Sequence, residues 1–493
     1  MKSNVLLIGS GPSTLASFLR LMQQDNLDIT LVDGGNLSSH TISQKCIFSN
    51  SDFETGNRIS FKDTSNIDHD FSYESKNSFF PKPSMVHGGY SNYWGGTVFP
   101  DFQNLFEYED LATWGTELDK LEKMYDEISK VLNLHSNSHS ENYPKGIVSG
   151  LPISKREKKI YKKLNNLHKK KATKYFVDYS CISLGKEIGN SICNECGGFS
   201  WACKEDTIWS SKALLKKYID SGRIKYLENY KVQSISQEED FNLSVKLKNT
   251  DNREENIIFH KVFLGAGPVG TGKIILNSCK EIKCLELKTS DLLSIPFLSI
   301  YGNEGEEKRH TLADLFFVYK NKKKVFFGQI YGYTENILKL SKDSVPLANK
   351  LSKYFNFLLE RTGGMYFYLD HKVSTTLIMS EKNDQIILSK GRSGSLFNTL
   401  KIRLYIYSVF LFNGIFLIPL IGKKYKYGNS NHIGSQFPLE EKDNPLKSDK
   451  YGSIKYFKNL HIIDSSVLPF IPSGPITFTV MSNASRITDE VYS

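Results

Sequence analysis

His432 stands in the run Gly428-Asn-Ser-Asn-His-Ile-Gly434, among glycines and small polar residues. A neutral imidazole in such a setting can accept a proton near neutral pH, and it can equally do no more than hydrogen-bond a turn. Cys193, Cys196 and Cys203, with Cys181 upstream, have spacings at which thiolates hold zinc or an iron-sulfur cluster. Reduced structural thiols are the other reading, and Cys46, Cys279 and Cys284 show no ligand-like spacing. A third group is more specific: Gly9-Ser-Gly11-Pro12-Ser13-Thr14 follows the apolar run Val5 to Ile8, and Asp33 follows Ile29 to Val32.

That third group dictates its own supporting elements. A short buried strand must end at Gly9, where the chain turns tightly. Gly11 leaves room for a pyrophosphate beside the N-terminus of a helix predicted over Leu15 to Gln23. Thr14 occupies the place of a third glycine, where helix and strand pack. Asp33 lies 22 positions after Gly11, at the end of the second strand, where a carboxylate can accept hydrogen bonds from ribose hydroxyls. The same charge disfavours a ribose 2'-phosphate and so argues against NADP. A turn made by Asp33 with Gly34 and Gly35 is the plainer alternative.

Three further segments repeat the glycine chemistry. His87-Gly88-Gly89-Tyr-Ser91-Asn92-Tyr93-Trp94-Gly95-Gly96 places two glycine pairs around a tryptophan. Val262-Phe-Leu-Gly265-Ala266-Gly267-Pro reads as a strand, a glycine turn and a helix start. Asn459-Leu-His-Ile-Ile-Asp464 reads as a closing strand with an aspartate turn, and Pro475-Ile-Thr477 opens a last helix. In this order, and over the whole length, the chain resembles the glucose-methanol-choline (GMC) oxidoreductase family.

The resemblance implies an α/β fold: a Rossmann-like FAD-binding domain built from discontinuous segments, with an inserted α+β substrate domain. The cofactor segments would be residues 1–100, 200–285 and 428–493, and the substrate domain 101–199 and 286–427. FAD would be held by Gly9, Gly11, Pro12, Ser13, Thr14, Asp33, Gly88, Gly89, Ser91, Asn92, Trp94, Gly95, Gly96, Gly265, Ala266, Gly267, Asp464, Pro475 and Thr477, with the backbone of Val232 at the adenine. Some relatives attach FAD covalently through a histidine just before the tryptophan; Tyr93 stands there, which implies noncovalent FAD. His432 falls at the family's catalytic base, which takes the proton of an alcohol as hydride leaves for flavin N5. The second catalytic position, Asn or His in the family, is Gly474 in Pro472-Ser473-Gly474-Pro475, so Ser473 or the substrate itself would complete the hydrogen bonds. His461, inside the closing strand, is expected to be structural.

The expected substrate is a small-molecule alcohol, a sugar or a lipid-linked sugar, because the chain looks most like the bacterial GMC-like proteins of surface-polysaccharide pathways. A sterol or polyprenol-type alcohol oxidase and a redox-neutral flavoprotein sugar isomerase are the alternatives, and the electron acceptor is open. The cysteine-rich segment before the returning strand also resembles a bacterial subgroup of the family, which favours structural thiols over metal.

With 40% hydrophobic and 24% charged residues the chain can bury a sizeable core of about two domains. The net charge of +10 suits anionic surfaces or phosphorylated substrates as well as a solvated lysine-rich surface. No nucleic-acid module accompanies it. The strand at Val5 runs into a glycine turn rather than a cleavage site, so a cytoplasmic location is expected, at or away from a membrane surface. Two segments suggest peripheral membrane contact: the apolar run Leu404 to Ile421, whose interruptions at Ser408, Asn413, Gly414 and Pro419 fit a buried core helix or a surface-inserting hairpin better than a span, and the basic stretch Lys155 to Lys174, which a solvated helix explains as well. In the latter, Ser154 and Glu157 form a capping-box pattern and Ile160, Leu164 and Leu167 share a face, with Arg156 counted among the outward cations.

Overall fold

The computed structural model describes residues 2–35, 71–73, 84–101, 108–170, 174–185, 206–302, 312–321, 324–332, 360–382, 385–395, 397–419, 423–425, 430–440 and 444–493, with the single positions 310, 334, 358 and 428. The cysteines at 193, 196 and 203, and Cys46, lie outside them.

The apolar run at the start forms strand β1 (Ser3–Ile8), central in a parallel sheet with β2 (Leu27–Val32), β3 (Lys225–Leu227), β4 (Lys261–Leu264) and β5 (Leu460–Ile462). The order is β5-β4-β1-β2-β3. Val5, Leu6, Leu7 and Ile8 are all buried, as a strand covered on both faces requires, which is why they read as a continuous apolar run. Helices α1 (Pro12–Leu21), α2 (Gly267–Ser278) and α3 (Thr477–Tyr492) follow the glycine turns and the last loop. α3 returns from the far end of the sequence to lie on α1, where Ser17 Oγ meets Thr488 Oγ1 at 2.7 Å and Arg20 Nε donates to Asp489 at 2.9 Å. A three-stranded antiparallel sheet, Tyr230–Gln237, Leu243–Asn249 and Glu254–Phe259, connects β3 to β4.

The second large sheet has seven antiparallel strands, among them Tyr175–Tyr179, Leu315–Lys320, Val325–Tyr331, Thr362–Tyr368 and Leu292–Ser299. Side chains alternate across it. Phe316, Val318 and Phe327 join the core shared with the parallel sheet, where Phe99 packs edge-on to Phe316 and Phe327. Leu315, Phe317, Tyr319, Phe326, Ile330, Met365 and Phe367 face the other way, into a separate core. That core is closed by Ile160 and Leu164 of helix Lys155–Lys170 and by Ile406, Val409 and Phe410 of helix Leu400–Phe412.

Two expectations about the basic helix change here. The capping box is realised in half: Ser154 Oγ accepts from the Glu157 N–H at 3.2 Å, but the Glu157 carboxylate turns to the Ser154 hydroxyl and to Arg156. Arg156 is not an outward cation. It is fully buried, held by Glu157 and by the carbonyls of Glu360 and Thr362, because an arginine beside a buried carboxylate gains a bidentate partner there. The apolar run from Leu404 is divided at Asn413 and Gly414, two of its interruptions. Its helix ends at Phe412, Gly414 turns the chain at φ 78°, and Ile415–Leu417 pairs with Leu292–Ser299. Among the described residues no helix is long and apolar enough to cross a membrane.

Candidate active site

A cavity of about 370 Å³ lies between the two large sheets. Three helix N-termini open onto it, through Gly11 to Ser13 of α1, Gly267 and Pro268 of α2, and Pro475 to Thr477 of α3. None of the three is capped by a side chain, so their first N–H groups are directed at whatever the cavity holds. A Cβ added at Gly11 or Gly267 would meet no protein atom within 4 Å, so these glycines leave space in the cavity wall. This is a cradle that favours a ligand carrying negative charge.

The first turn is fixed by contact. Gly9 has φ 87°, and a Cβ there would come within 2.7 Å of the Gly265 carbonyl oxygen. Thr14, in the third glycine's place, is fully buried and does not line the cavity. Its Oγ1 lies 2.4 Å from where a Cβ on Gly265 would stand, so Gly265 supplies the room that Thr14 takes. Asp33 lines the cavity at the end of β2 and accepts from the Gly35 N–H at 2.8 Å. Burial pushes its carboxyl above the ordinary range, against the lowering effect of hydrogen bonds from Ser10 and Gly35.

The second glycine segment wraps the same turn. Gly88 donates its N–H to Ser10 Oγ at 2.7 Å, Ser91 Oγ donates to the Gly88 carbonyl, and Asn92 Nδ2 bonds the carbonyls of His87 and Gly89. Gly88, Asn92 and Gly96 thereby shape the loop from behind, while Gly89, Ser91, Trp94 and Gly95 line the cavity. Trp94 is held by its indole N–H on the Trp209 carbonyl at 2.7 Å. Val232, Gly265, Ala266 and Asp464 complete the wall. Asp464 caps the short helix Ser465–Val467 and accepts from Ser466 N–H and Thr271 Oγ1; burial raises its carboxyl above the ordinary range.

His432 is set by its own backbone and by Ser430: Ser290 N–H donates to its carbonyl at 3.1 Å, its N–H donates to Ser430 Oγ at 3.3 Å, and Ile433 pairs with Thr289 in the next sheet. Its ring lines the cavity and stacks on Tyr368, with centroids 4.8 Å apart and planes 18° from parallel. Nδ1 is buried and has no hydrogen-bond partner among the described residues. Burial holds the ring down to about 4, although a hydrogen bond to the Ser473 backbone works in the other direction. Ser473 contributes that backbone rather than its hydroxyl: Oγ is buried and the residue is not part of the cavity wall.

No protein-family model matches the sequence, and no curated protein does. Solved structures do match. Pyridoxine 4-oxidase from Mesorbium loti superposes with a TM-score of 0.56 at 11% identity, over 100% of this chain and 99% of that one. Formate oxidase from Aspergillus oryzae RIB40, in a study of a mutation's effect on FAD modification, gives 0.61 at 12% identity, over 99% and 98%. The chain has their fold. It is the α/β architecture of a Rossmann-like domain with an inserted second domain, and the superpositions run nearly end to end on both sides.

Within this fold several cavity residues escape a linear reading. Gln329 and Tyr331 project from strand Val325–Tyr331 beside Tyr368, and Tyr331 Oη donates to Gln329 Oε1 at 2.7 Å. Ser10 ties the first glycine turn to the second, and Ser211 Oγ donates to the Ser10 carbonyl. The serine between two glycines was in plain view as a polar side chain at a turn; the Gln329 and Tyr331 pair had no signal of its own. His461 is buried within β5, its Nδ1 at Tyr451 O and Ser453 Oγ, away from the cavity. Cys181 is buried in strand Cys181–Ser183, where burial pushes its thiol well above the ordinary range, and the described residues contain no group of three or more metal ligands.

Proposed function

We propose that the protein is an FAD-dependent oxidoreductase that takes hydride from an alcohol, a carbohydrate or lipid-linked sugar hydroxyl, with His432 as the base. The observation that carries the reading is the cavity itself: three uncapped helix N-termini and paired glycines line it together with a buried neutral imidazole. The two structures of the same fold are named as oxidases, one of them in connection with FAD.

The residues fit a noncovalent FAD. Asp33 would hold the adenosine ribose, the N-termini of α1 and the Gly88 to Gly96 loop the pyrophosphate, and the backbone of Val232 the adenine. Asp464 and the N-terminus of α3, at Pro475 and Thr477, would meet the flavin ring, where a positive helix end favours negative charge. When bound, FAD supplies the two-electron acceptor for hydride from the carbinol carbon. The protein's part is proton handling and orientation. A hydroxyl reaching His432 donates to the imidazole, which is neutral above about pH 4 and can take the proton as the C–H bond breaks. Tyr368 keeps water off the opposite face of that ring, and the Gln329–Tyr331 pair offers an amide and a phenol to further substrate hydroxyls. The cofactor half would comprise 1–100, 200–285 and 428–493 and the substrate half the remainder, in a cytoplasmic enzyme of a surface-polysaccharide pathway.

Gly474 favours a second reading, a redox-neutral flavoprotein such as a sugar isomerase, because no second side chain stands at that position. Anaerobic absorbance of the purified protein separates the two. Under a panel of sugars, nucleotide sugars and polyprenol-linked sugars, one compound should bleach the flavin, and His432→Ala should slow bleaching by roughly 10²-fold or more. Bound flavin that no alcohol reduces, with turnover of one of them, would favour isomerisation. A protein that takes up no FAD would remove the proposal.

A further inference from the structure

We infer that the outer face of the seven-stranded sheet docks on an anionic lipid bilayer. The inference goes beyond the flavin reading and does not depend on it. Helices Lys155–Lys170 and Leu400–Phe412 lie together on that face, since both bury their apolar stripes in the same outer core. Tyr405 of the second helix packs 5.6 Å from Tyr319 of strand Leu315–Lys320, and its hydroxyl reaches the backbone of Lys174, where the chain leaves the first helix for strand Tyr175–Tyr179.

What each helix leaves outward is unusual. Leu400–Phe412 and the turn before it expose Phe397 at 82%, Leu404 at 56%, Leu411 at 51% and Phe412 at 84%. Leu400, Leu404 and Leu411 share one side at helical spacing, so the exposed groups form a stripe rather than scattered points. The neighbouring helix exposes Lys155, Lys158, Lys162 and Lys163, and Lys401 stands within the stripe. The only acid on either helix, Glu157, is buried against Arg156.

A row of lysines beside a row of large apolar side chains matches a bilayer interface, where phosphates lie just outside the acyl chains. A helix of 13 residues is about 20 Å long, short of a hydrocarbon core of about 30 Å, so it lies in the surface rather than across it. A second copy of the chain fits worse: with no exposed acid on either helix, a two-fold dimer through this face would set each lysine row against the partner's lysines or against its apolar row, with no carboxylate from these helices to pair it.

The test is cosedimentation of the purified protein with phosphatidylcholine vesicles, with and without phosphatidylglycerol. Binding should require the anionic lipid. Lys158→Glu, Lys162→Glu and Lys163→Glu should each weaken it about fivefold, and Leu404→Asp with Phe412→Asp should abolish it while the circular dichroism and thermal unfolding of the protein stay unchanged. As a check independent of those variants, Phe412→Trp should show blue-shifted emission with vesicles and quenching by brominated acyl chains. No binding to anionic vesicles, binding indifferent to both sets of substitutions, or unshifted emission would overturn the inference. So would a dimer in light scattering that the same substitutions dissolve.

Discussion

The Tyr368 ring covers one face of His432, 18° from parallel and 4.8 Å between centroids. This contact gives the proposed base its environment. Above about pH 4 the imidazole is neutral and able to accept a proton; below, protonation fills the accepting lone pair. Flavin reduction by substrate should therefore stay level from about pH 8 to pH 5 and fall only at lower pH, read by stopped-flow absorbance. Tyr368→Ala admits water to the ring and should move the acid limb upward, toward the ordinary value of about 6.5. A limb already near 6.5 in the parent protein would contradict this account.

Thr14 and Gly265 share one space. Gly265→Ala puts a methyl 2.4 Å from Thr14 Oγ1 and should cost roughly 2 kcal/mol of stability as an overpacked core does. Thr14→Ala alone should be mild, since its buried Oγ1 has no hydrogen-bond partner among the described residues. The double substitution should recover most of the loss. Urea midpoints of the three variants measure the coupling, and additive losses would show that the two residues do not compete.

Asp33→Asn should weaken FAD about tenfold, roughly 1.4 kcal/mol, because the amide accepts less strongly from ribose hydroxyls than a carboxylate does. FMN lacks that ribose. Fluorescence titrations should consequently show the preference for FAD over FMN shrinking, whereas equal losses for both would place Asp33 away from the adenosine.

Arg486 is buried on α3, its Nη1 2.6 Å from Glu117 and also on the Lys450 carbonyl. Glu117→Ala strands that guanidinium and should destabilise the protein by about 3 kcal/mol or more. Replacing both residues with methionine should lose much less. Denaturant unfolding separates these outcomes.

How much could be read beforehand follows from how each part is encoded. Gly9, Gly11, Asp33 and the turn at Gly265 are local: the residue that permits the turn sits at the turn, next to the strand that ends there. The His432 loop was also visible as a run of small residues, though what its ring would touch was not. Tyr368 reaches His432, and Gln329 reaches the cavity, through strand pairing between Val325–Tyr331 and Thr362–Tyr368, which no short window reveals. The strand Leu315–Lys320 hid its two faces because both are buried, leaving no polar alternation to read. Arg156 misled for a related reason: charge density along a helix says nothing about which cation has found a buried carboxylate.

The parallel sheet places β4 between β1 and β5, strands whose residues lie some 450 positions apart in the chain. During synthesis at about 5–20 residues per second, the glycine turn at Gly9 is made on the order of a minute before the strand and helix that finish its neighbourhood. Until Leu460–Ile462 and Thr477–Tyr492 arrive, α1 has no α3 to lie on, and Asp464 is not yet there to complete the cavity wall. A ribosome stalled anywhere in the seven-stranded sheet would hold an apolar nascent chain whose ligand cradle is unfinished. On the proposed function, flavin supply should accordingly govern how much of the finished protein survives rather than how its early segments fold.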